Sequence, residues 1–422
     1  MSDKIKVVFY GANPMATYGT SKVINEITSR LVKDNRFNVS VIAHDYNGIP
    51  NRTKEGVNIL PVPYVQRGSE MYVKNIIAYL NSLQPDIFIP FTDAFLLFDE
   101  GLHNIEFSKS KTKLIGYFNL DSVTIPQGGE VLSKKCDRII VSSHFAKDQY
   151  NLEGMTSDVI WHGVDTSKFF KDQSKRVKMR QHLGLKEDDF VFLSVARNSA
   201  RKNMSALFLA FADMCYRYDN VKLLVHMPDH TTFRKDWLDF HERTVTKLCG
   251  GKNPLKDGKV IFTKEAGRMG HGAPEEFIVG LYNAADIAVS SSNGEGFSFK
   301  ISESFASELP IIAPDNTTTL ELIGNKVYED IGPRGWIVSV NQAHCVEMSA
   351  VHYPVNIKAL TETMIKAYNT PLNIREVMGR NGRQFAIQYL DWDEKANQFI
   401  DIFMQEMNRE KEISQLADKV ML

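Results

Sequence analysis

The sequence predicts an α/β protein built as two successive units, each a parallel sheet flanked by helices. Three observations predict it. The chain has 422 residues, more than one ordinary core organises. Short apolar runs alternate with amphipathic ones in two series, the pattern of strands joined by crossover helices. A polar, basic stretch, KDQSKRVKMRQHLGLKEDD (residues 171–189), separates the two series. The expected division is residues 1–170 for the first unit, 171–385 for the second and 386–422 for a C-terminal helical segment.

In chain order, KVVFYG (6–11) reads as a strand, and GTSKVINEITSRLVKD (19–34) as a helix whose Val23, Ile24, Ile27 and Leu31 share one face. NVSVIAH (38–44), DIFIPF (86–91), KLIGYF (113–118) and DRIIVSS (137–143) extend the sheet, and the unit ends near VIWHGVDTSKFF (159–170). The second series opens with the strand FVFLSVAR (190–197) and the helix MSALFLAFADMCYRY (204–218). The strands VKLLVHM (221–227) and KVIFT (259–263), the helix PEEFIVGLYNAA (274–285) and the strands DIAVSSS (286–292) and LPIIAP (309–314) follow. The closing residues 391–422 read as helical, with packing outside the second sheet as one placement. No short-period repeat or low-complexity tract is present, which excludes a solenoid or a disordered scaffold.

Composition narrows the function classes. Hydrophobic residues at 43% and aromatics at 10% are those of a globular protein, and a formal charge of −1 gives no overall footprint for nucleic acid, leaving only local basic patches open. Cys136, Cys215, Cys249 and Cys345 lie far apart with no CxxC pair, so neither a zinc site nor a disulfide framework is indicated and a reducing compartment is expected. No apolar stretch approaches the ~18 residues of a membrane span, and the start, MSDKIKVVFYG, runs from charge directly into a β-rich segment. The expectation is a soluble, cytoplasmic protein without an integral membrane segment, with peripheral membrane contact left open.

The chemistry concentrates in SSNGEGFSFKISESF (291–305), where a strand's carboxyl end leads through a glycine-rich turn into a helix. Ligands of open α/β sheets bind at that edge. Gly294 and Gly296 permit close backbone approach, and a helix N-terminus offers free N–H groups to a phosphate. Phosphate alone does not account for Glu295 and Glu303, which suit hydroxyl groups instead. Together the features fit a ligand carrying both, a nucleotide sugar. The plainer alternative leaves Glu303 on the helix's first turn and Glu295 in a loop. SVARNSARKN (194–203) brings Arg197, Arg201 and Lys202 to the same sheet edge, either to stabilise a leaving diphosphate or as solvated loop charges.

Other signals have simpler readings. Asp391, Trp392 and Asp393 imitate a DxD metal site but stand where a helix begins, so capping and packing are expected and no metal. His226 and His230 in HMPDH leave a strand and read as loop histidines. GRMGHGAPEEF (267–277) reads as a wall for a nucleotide base or an ordinary loop. GANPMATYG (11–19) lacks GxGxxG, against a dehydrogenase.

These segments resemble retaining glycosyltransferases of the GT-B fold, family 4, the glycosyl transferases group 1. GEGFSFKISESFASELPIIA (294–313) is similar to that family's EGF turn and E-x7-E pair, ARNSARKN (196–203) to its Arg-x4-Lys element, and WHGVDTSKF (161–169) to its NGVD-F element. CDRIIVSSHFAKDQY (136–150) and LYNAADIAVSSS (281–292) match its inter-lobe segment and the strand before the donor turn. The resemblance implies two Rossmann-like α/β lobes facing across a cleft, a first lobe for the acceptor and a second for the donor, with the C-terminal helix returning to the first and a hinge closing around the donor.

Carried over residue by residue, the resemblance implies that Arg197 and Lys202 hold the donor diphosphate and that Glu303 binds the ribose hydroxyls. Glu295, with Gly296, Phe297 and Ser298, holds the transferred sugar. Gly19 stands where the family has a glycine-rich loop near the diphosphate, although Tyr18 replaces the first glycine of the usual pair. Asp121, in NLDSV, stands where many members carry a histidine. Transfer is then retaining and metal-independent, by front-face attack assisted by the departing phosphate. No cofactor is expected beyond a nucleotide-diphosphate sugar co-substrate, a UDP- or GDP-sugar. The acceptor is unidentified: a glycan, lipid, protein or modified DNA base. A GT-B nucleotide-sugar epimerase and a non-catalytic sugar-nucleotide or glycan-binding protein are the alternatives.

Overall fold

A computed structural model describes residues 4–62, 66–93, 101–105, 112–227, 242–248, 250–263, 273–324, 330–347 and 350–420. The chain divides into two compact units, one formed by Met1–Leu120, Ile125–His162 and Trp392–Leu422, the other by Asp121–Thr124 and Gly163–Asp391.

The first unit is a sheet of eight strands: β1 (Ile5–Gly11), β2 (Phe37–Ala43), β3 (Asn51–Arg52), β4 (Asn58–Pro61), β5 (Ile87–Asp93), β6 (Lys113–Asn119), β7 (Arg138–Val141) and β8 (Asp158–Val159). Their order is β3-β4-β2-β1-β5-β6-β7-β8, and every pairing is parallel except that of β3 with β4. Helix α1 (Gly19–Leu31) lies after β1 and buries Val23, Ile24, Ile27 and Leu31, the face its spacing predicts. Helices α2 (Glu70–Leu83), α3 (Gln127–Ser133) and α4 (His144–Leu152) follow in turn; Ser69 and Ser143 cap α2 and α4 by accepting from the backbone N–H groups of Tyr72 and Ala146.

The second unit's sheet runs β11-β10-β9-β12-β13-β14, all parallel. Its strands are β9 (Phe190–Val195), β10 (Val221–His226), β11 (Val260–Phe262), β12 (Ile287–Val289), β13 (Ile311–Pro314) and β14 (Gly335–Val338). Helices α5 (Gln173–His182), α6 (Met204–Cys215), α7 (Glu275–Ala284), α8 (Phe299–Ala306), α9 (Thr319–Ile323), α10 (Ile357–Asn369) and α11 (Leu372–Tyr389) belong to it, as does an antiparallel hairpin of β15 (His344–Glu347) and β16 (Ala350–His352). Phe192, Leu223, Val225, Ile287, Val289 and Ile312 pack with Leu207, Phe208 and Phe211 of α6 into a core. Each such side chain contributes about 1.5–3 kcal/mol by leaving water.

Helix α12 (Trp392–Val420) belongs to the first unit, where Phe399 meets Tyr117 and Phe403 meets Phe37 edge-on, and Asp393 pairs with Arg30. The units divide elsewhere than at residues 170 and 385. Residues 163–170 are tied to α11: Val164 N–H donates to Leu390 O at 2.8 Å, and Arg383 donates to Phe169 O and Thr166 O at 2.6 and 3.0 Å. The basic stretch read as a boundary is helix α5, docked on the end of α7. Arg176 bridges Ala285 O and Asp286 at 2.8 Å, and the buried Arg180 donates to Ala284 O, Lys186 O and Asp189 O.

Candidate donor site

The carboxyl end of β9 leads through Ala196 and Arg197 into a 3-10 turn, Ala200–Lys202, and then to Asn203, which caps α6. Asn203 adopts φ of +47°, a left-handed conformation that asparagine tolerates better than most residues. That bend aims Arg201 and Lys202 at the next carboxyl end, that of β12, where residues 290–298 form the turn before α8. The two loops are stitched by backbone and hydroxyl contacts. Asn293 N–H donates to Arg201 O at 2.8 Å, Ser291 Oγ to Lys202 O at 2.9 Å, and Asn203 Nδ2 to Asn293 Oδ1 at 3.0 Å. The serine-rich composition of the turn thus satisfies carbonyls that burial would otherwise strand.

Glu295 sits at the centre, 7% exposed. Lys202 Nζ donates to its two carboxylate oxygens at 2.6 and 2.7 Å, and Arg201 Nη1 to Oε2 at 3.0 Å. The Glu295 backbone N–H donates to Thr317 Oγ1 at 2.9 Å. Arg201 Nε lies 2.9 Å from Asp121 Oδ2, so one guanidinium joins both carboxylates. Burial alone would raise the Glu295 carboxyl, but Lys202 and Arg201 outweigh it and hold the group well below the usual carboxylate range. Asp121 behaves alike: burial raises it, and Arg201 with the His352 ring brings it below its ordinary value. Burial pulls the Lys202 ammonium down to about 8, against the pull of Glu295.

Gly294 shows why no side chain fits in this turn. A β-carbon there would stand 2.1 Å from Asp121 O and 2.9 Å from the His352 ring. His352, on β16, is itself 2% exposed, with Nε2 3.7 Å from Asp121 Oδ1. The hairpin that carries it is fastened to the site: Val123 N–H donates to Val351 O, Tyr353 N–H to Asn293 O, and Asn316 Nδ2 to Ser292 O and Tyr353 O.

Helix α8 carries two more charges. Lys300 lies in its first turn, buried, with Nζ 3.4 Å from Ser194 Oγ and Val289 O; burial, then the charge of Lys202, lowers it to about 7. Glu303 is buried one turn on and accepts from Tyr282 Oη of α7 at 3.0 Å.

Of the residues named from sequence, the fold brings Lys202, Glu295 and Asp121 into one network. Gly296, Phe297 and Ser298 are buried in the same turn, and Glu303 lies on the helix that follows it. Arg197 is exposed at the strand end, close enough for its charge to lower Lys202. Gly19 lies in the other unit, exposed at the first position of α1. His226 is the last residue of β10, not a loop residue, and is buried with Nδ1 2.8 Å from Thr263 Oγ1; His230 lies outside the described residues, as do most of 267–277. Arg201 was visible as one charge of a cluster but without its role. Lys300 lies inside the 291–305 stretch, where a lone lysine gives no sign of its burial; His352 and Tyr282 carry no signal for the site, since their positions depend on tertiary folding. Among the described residues, no group of His, Cys, Asp and Glu could hold a metal ion, and Cys136 and Cys215 are free thiols.

Comparisons with known proteins bear on the family and the fold. Residues 189–345 match the family Glycosyl transferases group 1. Alpha-monoglucosyldiacylglycerol synthase of Streptococcus pneumoniae is 30% identical over 198 residues, 46% of this chain and 40% of that protein, so the chain spans less than half of that relative's length. Sucrose-phosphate synthase of Thermosynechococcus elongatus has a similar structure, with a TM-score of 0.74 at 14% identity over 96% of this chain and all (100%) of that one. Anabaena HepE, solved with UDP and glucose, has a TM-score of 0.68 at 16% identity over 95% of this chain and 100% of that one. Residues 189–345 are thus similar to the glycosyl transferases group 1, and the fold of the chain is that of the GT-B glycosyltransferases.

Proposed function

We propose that this protein transfers a sugar from a nucleotide-diphosphate sugar to an acceptor hydroxyl, with retention at the anomeric carbon and without a metal. The observation that carries the reading is the pairing of Arg201 and Lys202 with Glu295 at the carboxyl ends of β9 and β12, ahead of the α8 N-terminus. Fixed cations at a sheet edge suit a departing diphosphate, and a helix N-terminus adds N–H donors for its oxygens. Arg197, Arg201 and Lys202 hold the diphosphate, Glu303 the ribose hydroxyls, and Glu295 with Gly296, Phe297 and Ser298 the transferred sugar, with Asp121 on its other side and Gly19 in the role the resemblance gives it. The bond from the anomeric carbon to the phosphate oxygen breaks, the acceptor oxygen bonds to the same face, and the acceptor's proton passes to the departing phosphate.

HepE was solved with UDP and glucose, which makes a UDP-sugar the first donor to try. No helix among the described residues is long and apolar enough to cross a membrane. We read the protein as acting in the cytoplasm, on an acceptor that a membrane surface can also present.

A thermal-shift panel of UDP, GDP, ADP, CMP and dTDP with their common sugars, each with a divalent metal and with a chelator, tests the donor. A nucleotide at a hundredfold over its dissociation constant stabilises by about 2.7 kcal/mol, and one nucleotide raising the midpoint in chelator is the expected result. No shift from any of them would overturn the donor reading. Consumption of donor to an isomer without acceptor would establish the epimerase instead.

A further inference from the structure

Two of the three cations assigned to the diphosphate, Arg201 and Lys202, are already engaged. Lys202 spends two hydrogen bonds on Glu295, and Arg201 divides its guanidinium between Glu295 and Asp121. All four side chains are 15% exposed or less. A second anion cannot add to this cluster at full strength while both carboxylates remain, because their charge compensates that of the cations over a few ångströms. It binds best by taking the carboxylates' place.

A second observation shows where one displaced carboxylate goes. His352 is buried, and neither ring nitrogen has a hydrogen-bond partner among the described residues. A buried polar group left in this state is unfavourable, and one partner ends the penalty. Asp121 Oδ1 is 3.7 Å from Nε2, beyond hydrogen-bond reach by a small movement. Asp121 is therefore flanked by two partners, Arg201 in contact and the imidazole just out of contact. Glu295, the other carboxylate, occupies a turn aimed by Gly294 and Gly296.

Resting on the donor-site reading above, we propose that Arg201 and Lys202 form an anion seat for a diphosphate whose internal occupants are Glu295 and Asp121, and that His352 is a positioning residue which receives Asp121 when the diphosphate arrives. Donor binding is then an exchange of anions without a covalent step. The diphosphate takes the two cations, Glu295 is released toward the hydroxyls of the sugar that came with it, and Asp121 trades a guanidinium for an imidazole N–H. One carboxylate can thus pair with the cations before the diphosphate is seated and bind the sugar afterwards. The exchange also couples the two events: Glu295 is free for the sugar only once the diphosphate is seated.

Titration calorimetry with inorganic pyrophosphate, UDP and GDP, on the intact chain and on its Glu295→Gln, His352→Ala and His352→Gln variants, tests this, with melting temperatures taken alongside. Glu295→Gln is expected to bind pyrophosphate and one nucleoside diphosphate about tenfold tighter than the parent, which corresponds to about 1.4 kcal/mol of competition removed. Its melting temperature falls without ligand and recovers with pyrophosphate, and donor turnover is lost. His352→Ala weakens diphosphate binding several-fold, whereas His352→Gln, which keeps an N–H donor, restores it. Equal or weaker anion binding by Glu295→Gln overturns the exchange, and equal loss in both histidine variants removes His352 from it. The Glu295 arm stands whether or not the histidine variants fold. UDP or GDP binding with no gain in Glu295→Gln leaves the donor reading intact and the exchange refuted. Tighter pyrophosphate with no nucleoside diphosphate bound by any form does the reverse, and no anion bound by any form ends both.

Discussion

Tyr282 of α7 donates its phenolic hydrogen to Glu303 of α8 at 3.0 Å, and both side chains are buried. The bond holds the carboxylate assigned to the ribose from the neighbouring helix α7. Burial, with Glu303 adding to it, holds the phenol far above its ordinary range, so it remains a donor at any working pH. Tyr282→Phe keeps the ring and leaves a carboxylate oxygen without this partner. The expected result is a loss of about 1–3 kcal/mol in urea unfolding and a several-fold rise in KM for the donor with kcat nearly unchanged. A fall in kcat at constant KM would detach Glu303 from nucleotide binding.

Arg197, Arg201 and Lys202 are neighbours in sequence with different mechanical roles. Arg197 is exposed, whereas Arg201 and Lys202 hold the buried Glu295 carboxylate. Removing one partner of a buried ion pair leaves a charge poorly compensated, a cost of about 3–5 kcal/mol when no second partner remains. Because Arg201 remains on Glu295, Lys202→Ala is expected to cost about half of that, whereas Arg201→Ala also strips Asp121 of its guanidinium and should cost about the full amount. Arg197→Ala should lie within about 0.5 kcal/mol of the parent, as surface changes do. All three should lower turnover, by about 10²–10³ for Lys202→Ala, the scale of one lost charge-stabilising donor. Unfolding curves and steady-state rates on the three variants separate the roles; an Arg197→Ala protein with parental turnover would confine the diphosphate to Arg201 and Lys202.

Gly294 is confined by backbone as well as side chain. A methyl group there meets Asp121 O at 2.1 Å, and a carbonyl oxygen of the main chain has little room to retreat because Val123 N–H is bonded to Val351 O. Gly294→Ala should therefore cost about 1–3 kcal/mol, the range for overpacking, and weaken donor binding by shifting the turn that carries Glu295. A melting temperature equal to the parent's would show that the 121–124 segment moves freely.

Ten of the fourteen strands of the two sheets are legible in the sequence, all but β3, β4, β8 and β14, because apolar runs such as FVFLSV and IIAP are short, β-branched and bounded by turn residues. The glycine-rich turn and its glutamates were legible because strand, glycine and helix follow one another locally. Helix α5 was not legible, for a physical reason: its docking face is made by Arg176 and Arg180, whose guanidiniums satisfy the carbonyls of Asn283, Ala284 and Ala285. Periodicity searches for apolar faces miss a helix anchored by charge. Asp121 is named through the family resemblance, but its pairing with His352 is not legible, because the two lie far apart in the chain and are brought together by the hairpin. Arg201 and Arg197 could not be ranked either, because the left-handed Asn203 that closes their loop leaves no mark in hydrophobic pattern.

Lys300 gives the site a pH dependence of definite sign. Its ammonium is buried at the start of α8, where the helix dipole disfavours a cation, and it titrates near 7 against 10.5 for a free lysine. Between those values the unfolded chain binds a proton that the folded chain refuses, so the unfolded state gains as pH falls through this window. Lys300's contribution therefore makes the protein less stable at pH 7 than at pH 10, and below about 7 both states are protonated and the slope vanishes. Lys202, at about 8, acts in the same direction over a narrower range. Lys300→Met, nearly equal in volume and uncharged, should remove the larger part of this slope. The variant is expected to be more stable than the parent at pH 7 and to lose that advantage progressively toward pH 10, read by chemical unfolding at each pH. The two Lys300 contacts at 3.4 Å are long, so little hydrogen bonding is lost in exchange. A parent and variant with parallel stability curves across the window would mean that Lys300 is charged in the folded protein throughout. It would then act as a permanent third cation whose charge lowers Glu295.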